Sequence, residues 1–138
     1  MKYTYKILKT SWGIVVGLDM EEVLTISPLP TDIKITDQIY LRIGDINKEE
    51  THARREKIEK WISLAIKHAA GVITSHLTTT VCFYVKHVDM HILHSQEEGL
   101  YCAARGWLIK YYGLGIEQVP VRYDKAANKY TFDIPTTE

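Results

Sequence analysis

The sequence lacks the features that mark secreted and membrane proteins. Its 138 residues contain only two cysteines, Cys82 and Cys102, too few for the disulfide framework of a small secreted domain. The N-terminus has no apolar run of signal-peptide length, and no stretch approaches the roughly 18 uninterrupted apolar residues of a membrane span. We therefore expect a cytoplasmic protein that does not enter a membrane.

An excess of either charge is also absent. Lys plus Arg is 17 and Asp plus Glu is 17, so bulk charge does not indicate nucleic acid or an anionic membrane as a partner. The sequence has no G-x-x-x-x-G-K-[ST] or G-x-G-x-x-G loop for phosphates, and neither G-x-S-x-G nor H-E-x-x-H occurs. We predict no cofactor, and the absence of these motifs favours a protein that is not an enzyme, although it leaves that question open.

What is present indicates one globular domain over residues 1–138. Hydrophobic residues make up 46% of the chain and charged residues 25%, which is ordinary for a folded domain of this length. Strand patterns come first, and two helical patterns follow later in the chain. This order predicts an α+β fold, with a mixed or antiparallel sheet of about six to seven strands and both helices on one face.

Two helices and several strand boundaries follow from local signals. The first helix is predicted from Asn47, a capping residue, to Gly71, and the second from the capping box Ser95–Glu98 to Gly113. A polar turn is predicted at Asp19–Glu22, between two strands. The apolar alternation slips between Phe83 and Met90, which predicts a bulge or tight turn near His87. The C-terminal residues 118–134 are predicted to form a closing hairpin.

The histidines near the end of this region are candidates for a site. His87, Asp89, His91 and His94 lie close together in the sequence, and alternate residues of an extended segment share one face. The group could hold a metal ion or act in acid/base catalysis without a metal, since imidazole titrates near neutrality. The alternative is a solvated strand face beside a loop. Which metal would bind is not indicated by the spacing.

The tyrosines indicate an interaction surface. Nine occur in the chain, and five lie on the second helix and the last hairpin: Tyr101, Tyr111, Tyr112, Tyr123 and Tyr130. These five cannot all face one core, and exposed aromatic clusters favour interfaces. The alternative is that each ring is half-buried with its hydroxyl in water.

Two further features have a functional and a structural interpretation. A basic patch on the first helix, formed by Arg54, Arg55, Lys57 and Lys60, could contact phosphates or an acidic protein, but interleaved glutamates favour ordinary helix ion pairs. Cys102 could pair with a histidine as a nucleophile, but cysteine is among the most often buried residue types, which favours core packing for both thiols.

The order of elements resembles that of domain IV of the translocating elongation factors. The resemblance covers about 100 residues, from Trp12 to the second helix, and includes His87-Val88-Asp89 where that family has H-x-V-D-S-S; here Met90 and His91 follow. It implies a ribosomal protein S5 domain 2-like fold and contact with the ribosome or RNA. No GTPase domain accompanies it.

Three hypotheses follow for the function. The first is a small protein-interaction module that binds a protein partner or forms a homo-oligomer through its aromatic-rich surface. The second is a histidine-based or metal-assisted hydrolytic enzyme that uses the group from His87 to His94. The third is an RNA- or ribosome-associated domain that uses the basic first helix, although we do not expect nucleic acid as the partner.

Overall fold

A computed structural model describes residues 1–24, 27–45, 55–90 and 96–135 of the chain. Within these ranges the chain forms seven strands and two helices, which confirms the α+β class. In chain order they are β1 (Lys2–Leu8), β2 (Gly13–Leu24), β3 (Ile33–Lys34), β4 (Ile39–Ile43), α1 (Arg55–Thr74), β5 (Val81–Met90), α2 (Glu98–Tyr112), β6 (Val121–Asp124) and β7 (Lys129–Phe132).

The strands are divided between two sheets rather than joined in one. Five form a mixed sheet in the order β1-β2-β5-β4-β3, in which only β4 and β5 run parallel, and β6 pairs with β7 in a separate hairpin. The closing hairpin is therefore confirmed, but the single sheet of six to seven strands is replaced by a sheet of five and a sheet of two. The S5 domain 2-like topology stays a prediction from element order.

One hydrophobic core joins the sheet and both helices. Alternate strand residues face the helices, for example Val16 on β2, Leu41 on β4 and Phe83 on β5, and all three are buried. The helices pack against each other, with α2 also against β1 and β2, and α1 against β4. The opposite side of the sheet, here called the open face, carries polar and charged side chains. Across the described residues, no helix is both long and apolar enough to cross a membrane.

The second strand is longer than the sequence pattern indicates. The polar turn predicted at Asp19–Glu22 is wrong, because β2 continues through these residues to Leu24. Asp19 and Glu21 lie on the open face while Met20 between them is buried. Charged residues on a solvated sheet face keep the period of two, so their polarity did not require a turn.

The bulge predicted near His87 is confirmed. Met20 on β2 is paired with Val85, but its neighbour Asp19 is paired with His87, which leaves Lys86 as the additional residue on β5. The bulge lets Val85 and Val88 both stay buried although they are three residues apart. It also leaves Lys86 and His87, which are adjacent in sequence, outside the core.

The helix ends differ in how well they were predicted. Gly113 ends α2 in the left-handed conformation at φ 64°, as expected for a glycine cap. Gly71 does not end α1, which continues to Thr74, because the helix keeps burying apolar side chains such as Ile73 beyond it. The predicted caps Asn47 and Ser95 lie outside the described residues, and the first residue of α2 is Glu98.

Candidate functional site

An aromatic and titratable cluster lies where α2 ends. We call it the aromatic end, and its members are Glu22, His76, Trp107, Tyr111 and Tyr112. The Tyr111 ring is stacked on Trp107 with centroids 4.6 Å apart and meets Tyr112 edge-on at 4.9 Å. Trp107 is fully buried, and its indole N–H donates to the Met1 carbonyl oxygen at 2.8 Å. Tyr111, which is 42% exposed, therefore packs on a side chain that is itself held in place.

A hydrogen bond within the aromatic end fixes the neighbouring ring. The Tyr112 hydroxyl donates to a carboxylate oxygen of Glu22. Glu22 is positioned for this bond because it pairs with Phe83, whose side chain faces the helices. Burial, together with the bond to Glu22, raises the pKa of Tyr112 above its ordinary value. Tyr112 is therefore a neutral donor at physiological pH, suited to holding the carboxylate rather than to transferring a proton.

The five predicted interface tyrosines do not form one surface. Tyr111 and Tyr112 lie together at the aromatic end. Tyr123 and Tyr130 are 5.3 Å apart on the hairpin, where Tyr123 is half-buried and Tyr130 is buried. Tyr101 is fully buried between the helices, beside His68. Of the five, Tyr111 is the most exposed, at 42%.

The predicted histidine group is only partly described. His87 and Asp89 lie on the open face of β5, whereas His91 and His94 lie outside the described residues. The ladder places Asp19 opposite His87, and Gly17 opposite Asp89. Within the described part of the chain, no three His, Cys, Asp or Glu side chains are close enough to hold a metal ion.

The basic residues of the first helix are engaged within the protein. Arg55 donates to the carbonyl oxygens of Ile43 and Gly44, at the end of β4. Lys57 lies 3.6 Å from a carboxylate oxygen of Glu97, and Lys60 lies over the Trp61 ring at 4.6 Å. Arg54 lies outside the described residues. These contacts connect α1 to the end of β4 and to the residue before α2.

Both thiols are buried, as the sequence favoured: Cys102 lies in the core cluster, whereas Cys82 lies on the other face of β5, near Asp32 and Arg42. Cys82 and Cys102 are free and fully buried. Burial raises the pKa of the Cys82 thiol to about 11 and that of Cys102 to about 12. Because the thiolate is the reactive form, neither cysteine has the character of a nucleophile near neutral pH.

Three members of the aromatic end were not recognised as site residues from the sequence. Glu22 lay in the predicted turn, His76 lay beyond the predicted end of the first helix at Gly71, and Trp107 lay inside the predicted second helix without a predicted role. The sequence carried no clear signal for Glu22: β2 continues to Leu24, but the adjacent charges Glu21 and Glu22 interrupt its apolar alternation. No model of a known protein family matches the chain, and no curated protein does.

Proposed function

We propose that this chain is a small protein-interaction module that self-associates through the aromatic end. The observation that carries the proposal is Tyr111, a large ring exposed to solvent on a buried support. Large exposed rings with a rigid base are typical of residues that contribute most of the free energy of binding at protein interfaces.

The rigidity of this surface favours binding. Tyr111 is held by Trp107 below and by Tyr112 at its side, and Tyr112 is held in turn by Glu22. Immobilising a side chain on binding costs about 0.5–1.5 kcal/mol. A ring that is already ordered avoids much of this cost, which is one reason why tyrosine is common in binding surfaces.

The composition of the surface suits a second copy of the chain. A two-fold contact requires a self-complementary patch, and aromatic rings satisfy this requirement because they stack or meet edge-on with each other. Lys110 is exposed beside Tyr111 and can pair with a carboxylate of the other copy, while Leu24, 67% exposed, adds apolar surface near Glu22. Association of two copies with zero formal net charge meets no overall repulsion.

Sedimentation velocity over a concentration series tests the proposal. We expect the wild type to show a concentration-dependent dimer, and Tyr111→Ser to remain monomeric at every concentration. Val15→Ser is the matched control, because Val15 is similarly exposed, at 48%, but lies on the open face of the sheet. It should associate as the wild type does.

Three results would overturn this assignment. A wild type that stays monomeric throughout the series would exclude self-association. A Tyr111→Ser variant that still forms dimers, or a Val15→Ser variant that loses them, would place the interface elsewhere. Circular dichroism of each variant, compared with that of the wild type, separates loss of association from loss of folding.

A second candidate function is acid/base or metal-assisted chemistry at the open face. It is supported by the register that sets Asp19 opposite His87, since a carboxylate beside an imidazole can orient the ring by accepting a hydrogen bond from it. Zn²⁺ should then raise the melting temperature of the wild type but not of His87→Ala, with His76→Ala as the control. Equal shifts in all three proteins would exclude a site at His87.

A further inference from the structure

We propose that β1 is a docking edge for an extended acidic segment of another protein, which adds a strand to the five-stranded sheet. β1 is the last strand on its side of the sheet within the described residues. This surface is separate from the aromatic end and does not depend on the proposed self-association.

The backbone hydrogen bonds define which groups of β1 point outward. Met1 and Met20 exchange both backbone bonds, at 2.7 and 3.0 Å. In an antiparallel pair such bonds recur at every second residue, so Tyr3, Tyr5 and Ile7 also bond to β2. The N–H and C=O groups of Lys2, Thr4, Lys6 and Leu8 consequently point away from β2. Among the described residues these groups have no strand partner.

The helix side holds the edge in place. Tyr5 is buried, and the Tyr3 ring lies directly against Gly106 of α2. The outward backbone groups therefore belong to a strand that is already ordered. A peptide that binds there needs to order only itself, which lowers the entropic cost of adding a strand.

The side chains along the edge indicate the charge of the partner. Lys2, Thr4, Lys6 and Leu8 are all exposed on the open face. Lys2 has Asp19 opposite it on β2, but Lys6 faces Val15 and so has no carboxylate directly across the ladder. Leu8, 62% exposed, ends the row with an apolar surface. The complementary segment carries carboxylates opposite Lys6 and Lys2, and an apolar residue opposite Leu8.

The same lysines disfavour a second copy of β1 as the occupant. Antiparallel self-pairing centred on Thr4 sets Lys2 opposite Lys6, and self-pairing centred on Lys6 sets this lysine opposite itself. Self-pairing centred on Tyr5 avoids lysine pairs, but β1 contains no Asp or Glu, so no register gives the lysines a carboxylate partner. Like charges directly opposite each other destabilise a strand pair, and lysines on edge strands commonly prevent this kind of association. The same lysines attract the carboxylates of an acidic segment.

Hydrogen exchange with a synthetic peptide tests the proposal. The probe is a blocked peptide Val-Thr-Glu-Thr-Thr-Thr-Glu, which places glutamates opposite Lys6 and Lys2 when it runs antiparallel to β1. We expect the amides of Thr4, Lys6 and Leu8 to become protected on binding. The amides of Tyr3, Tyr5 and Ile7, already bonded to β2, should change little. This alternation distinguishes strand addition from binding through the lysine side chains alone.

Charge reversal provides the second measurement. Lys6→Glu should weaken binding of the acidic peptide about tenfold, because it replaces an exposed ion pair by a like-charge pair. It should also bind a peptide with lysines in place of the glutamates better than the wild type does. Lys125→Glu, in the exposed turn between β6 and β7, makes the same change in net charge and should leave binding unchanged.

The proposal is overturned if the acidic peptide does not bind, or if it binds without protecting alternate amides of β1. Equal weakening by Lys6→Glu and Lys125→Glu would also overturn it, since the effect would then be one of net charge. In that case the lysines act only to keep the edge from pairing. Performing the titration in the Tyr111→Ser variant keeps its outcome distinct from that of the aromatic end.

Discussion

His68 and Tyr101 meet across the interface between α1 and α2, with the Nδ1 atom 2.8 Å from the hydroxyl. The other ring nitrogen of His68, Nε2, is buried without a hydrogen-bond partner in the described part of the chain. Burial raises the pKa of Tyr101 above its ordinary value, so the hydroxyl stays protonated. The pair is thus a buried polar contact that is only partly satisfied, which makes it sensitive to removal of either side chain.

Removal of the two polar partners should show strong coupling. Tyr101→Phe leaves both nitrogens of His68 without a partner, and we expect it to lower the free energy of unfolding by about 1–2 kcal/mol. Adding His68→Leu removes the imidazole as well and should restore most of this loss. Urea denaturation measures Tyr101→Phe, His68→Leu and the double variant, with Tyr111→Phe as the control for loss of an exposed hydroxyl. Simple additivity of the two single effects would contradict the prediction.

Asp32 should make stability depend on pH. Its side chain is fully buried, at 0% exposure. It accepts bonds of 2.7 and 2.8 Å from Arg42 and a third from the Leu29 backbone N–H. The bonds from Arg42 hold the pKa of Asp32 below its ordinary value. A depressed carboxyl pKa contributes stability above the unfolded value of about 3.9, and this contribution is lost as the pH falls through the folded-state pKa.

The test compares variants across the acidic limb. Asp32→Asn should lower the free energy of unfolding by about 1–3 kcal/mol at neutral pH. The free energy of unfolding of this variant should also fall less than that of the wild type between about pH 5 and pH 2. Asp45→Asn replaces an exposed aspartate and should leave the curve of stability against pH nearly unchanged. An Asp32→Asn variant with the acid sensitivity of the wild type would show that another carboxyl group is responsible.

At the scale of the elements, a glycine in each helix differs in the space around it. A Cβ atom on Gly106 of α2 would lie 2.3 Å from the Tyr3 ring, whereas one on Gly71 of α1 would meet nothing within 4 Å. Alanine favours a helix by about 0.5–1 kcal/mol over glycine. Gly71→Ala should therefore be stabilising by about this amount, and Gly106→Ala destabilising by about 1–3 kcal/mol through overpacking.

Thermal and urea denaturation of the two glycine variants provides the measurement. Each variant is the control for the other, because both make the same substitution within a helix. Tyr3→Leu combined with Gly106→Ala should recover part of the loss by making space for the new methyl group. Effects of the same sign at both positions would mean that the close approach of Tyr3 to α2 does not limit the packing.

The sequence predicted the secondary-structure elements better than it predicted the burial of individual side chains. Period and caps were sufficient for the bulge near His87 and the end of α2 at Gly113. The path of β2 through Asp19–Glu22 was not predicted, because three charged residues within four positions look locally like a turn. Tyr111 and Tyr130 were both expected at the surface, but Tyr130 is buried. Exposure depends on which distant segment covers a ring, and that information is not local.

At the scale of the whole molecule, the C-terminal hairpin is bonded to the turn between β1 and β2 and to a residue just before α2. The Tyr130 hydroxyl accepts from the Lys9 backbone N–H and donates to the Trp12 carbonyl oxygen, across the turn between β1 and β2. The side-chain amide of Gln96, just before α2, bonds to both backbone groups of Tyr130. A hairpin outside the main sheet is thus fixed to the start of that sheet and to α2. Its contacts with the turn span 118 and 121 residues.

Tyr130→Phe tests how much this connection stabilises the molecule. The substitution keeps the buried ring but leaves the Lys9 N–H and the Trp12 carbonyl without the hydroxyl, so we expect a loss of about 1–3 kcal/mol. Hydrogen exchange should locate the effect: the amides of Lys9 and of β6 and β7 should exchange faster, while those of α1 keep their rates under conditions of local opening. Tyr111→Phe, which removes an exposed hydroxyl, should change neither. Uniformly faster exchange across both helices would mean that the hairpin does not open alone and that its docking is inseparable from the core.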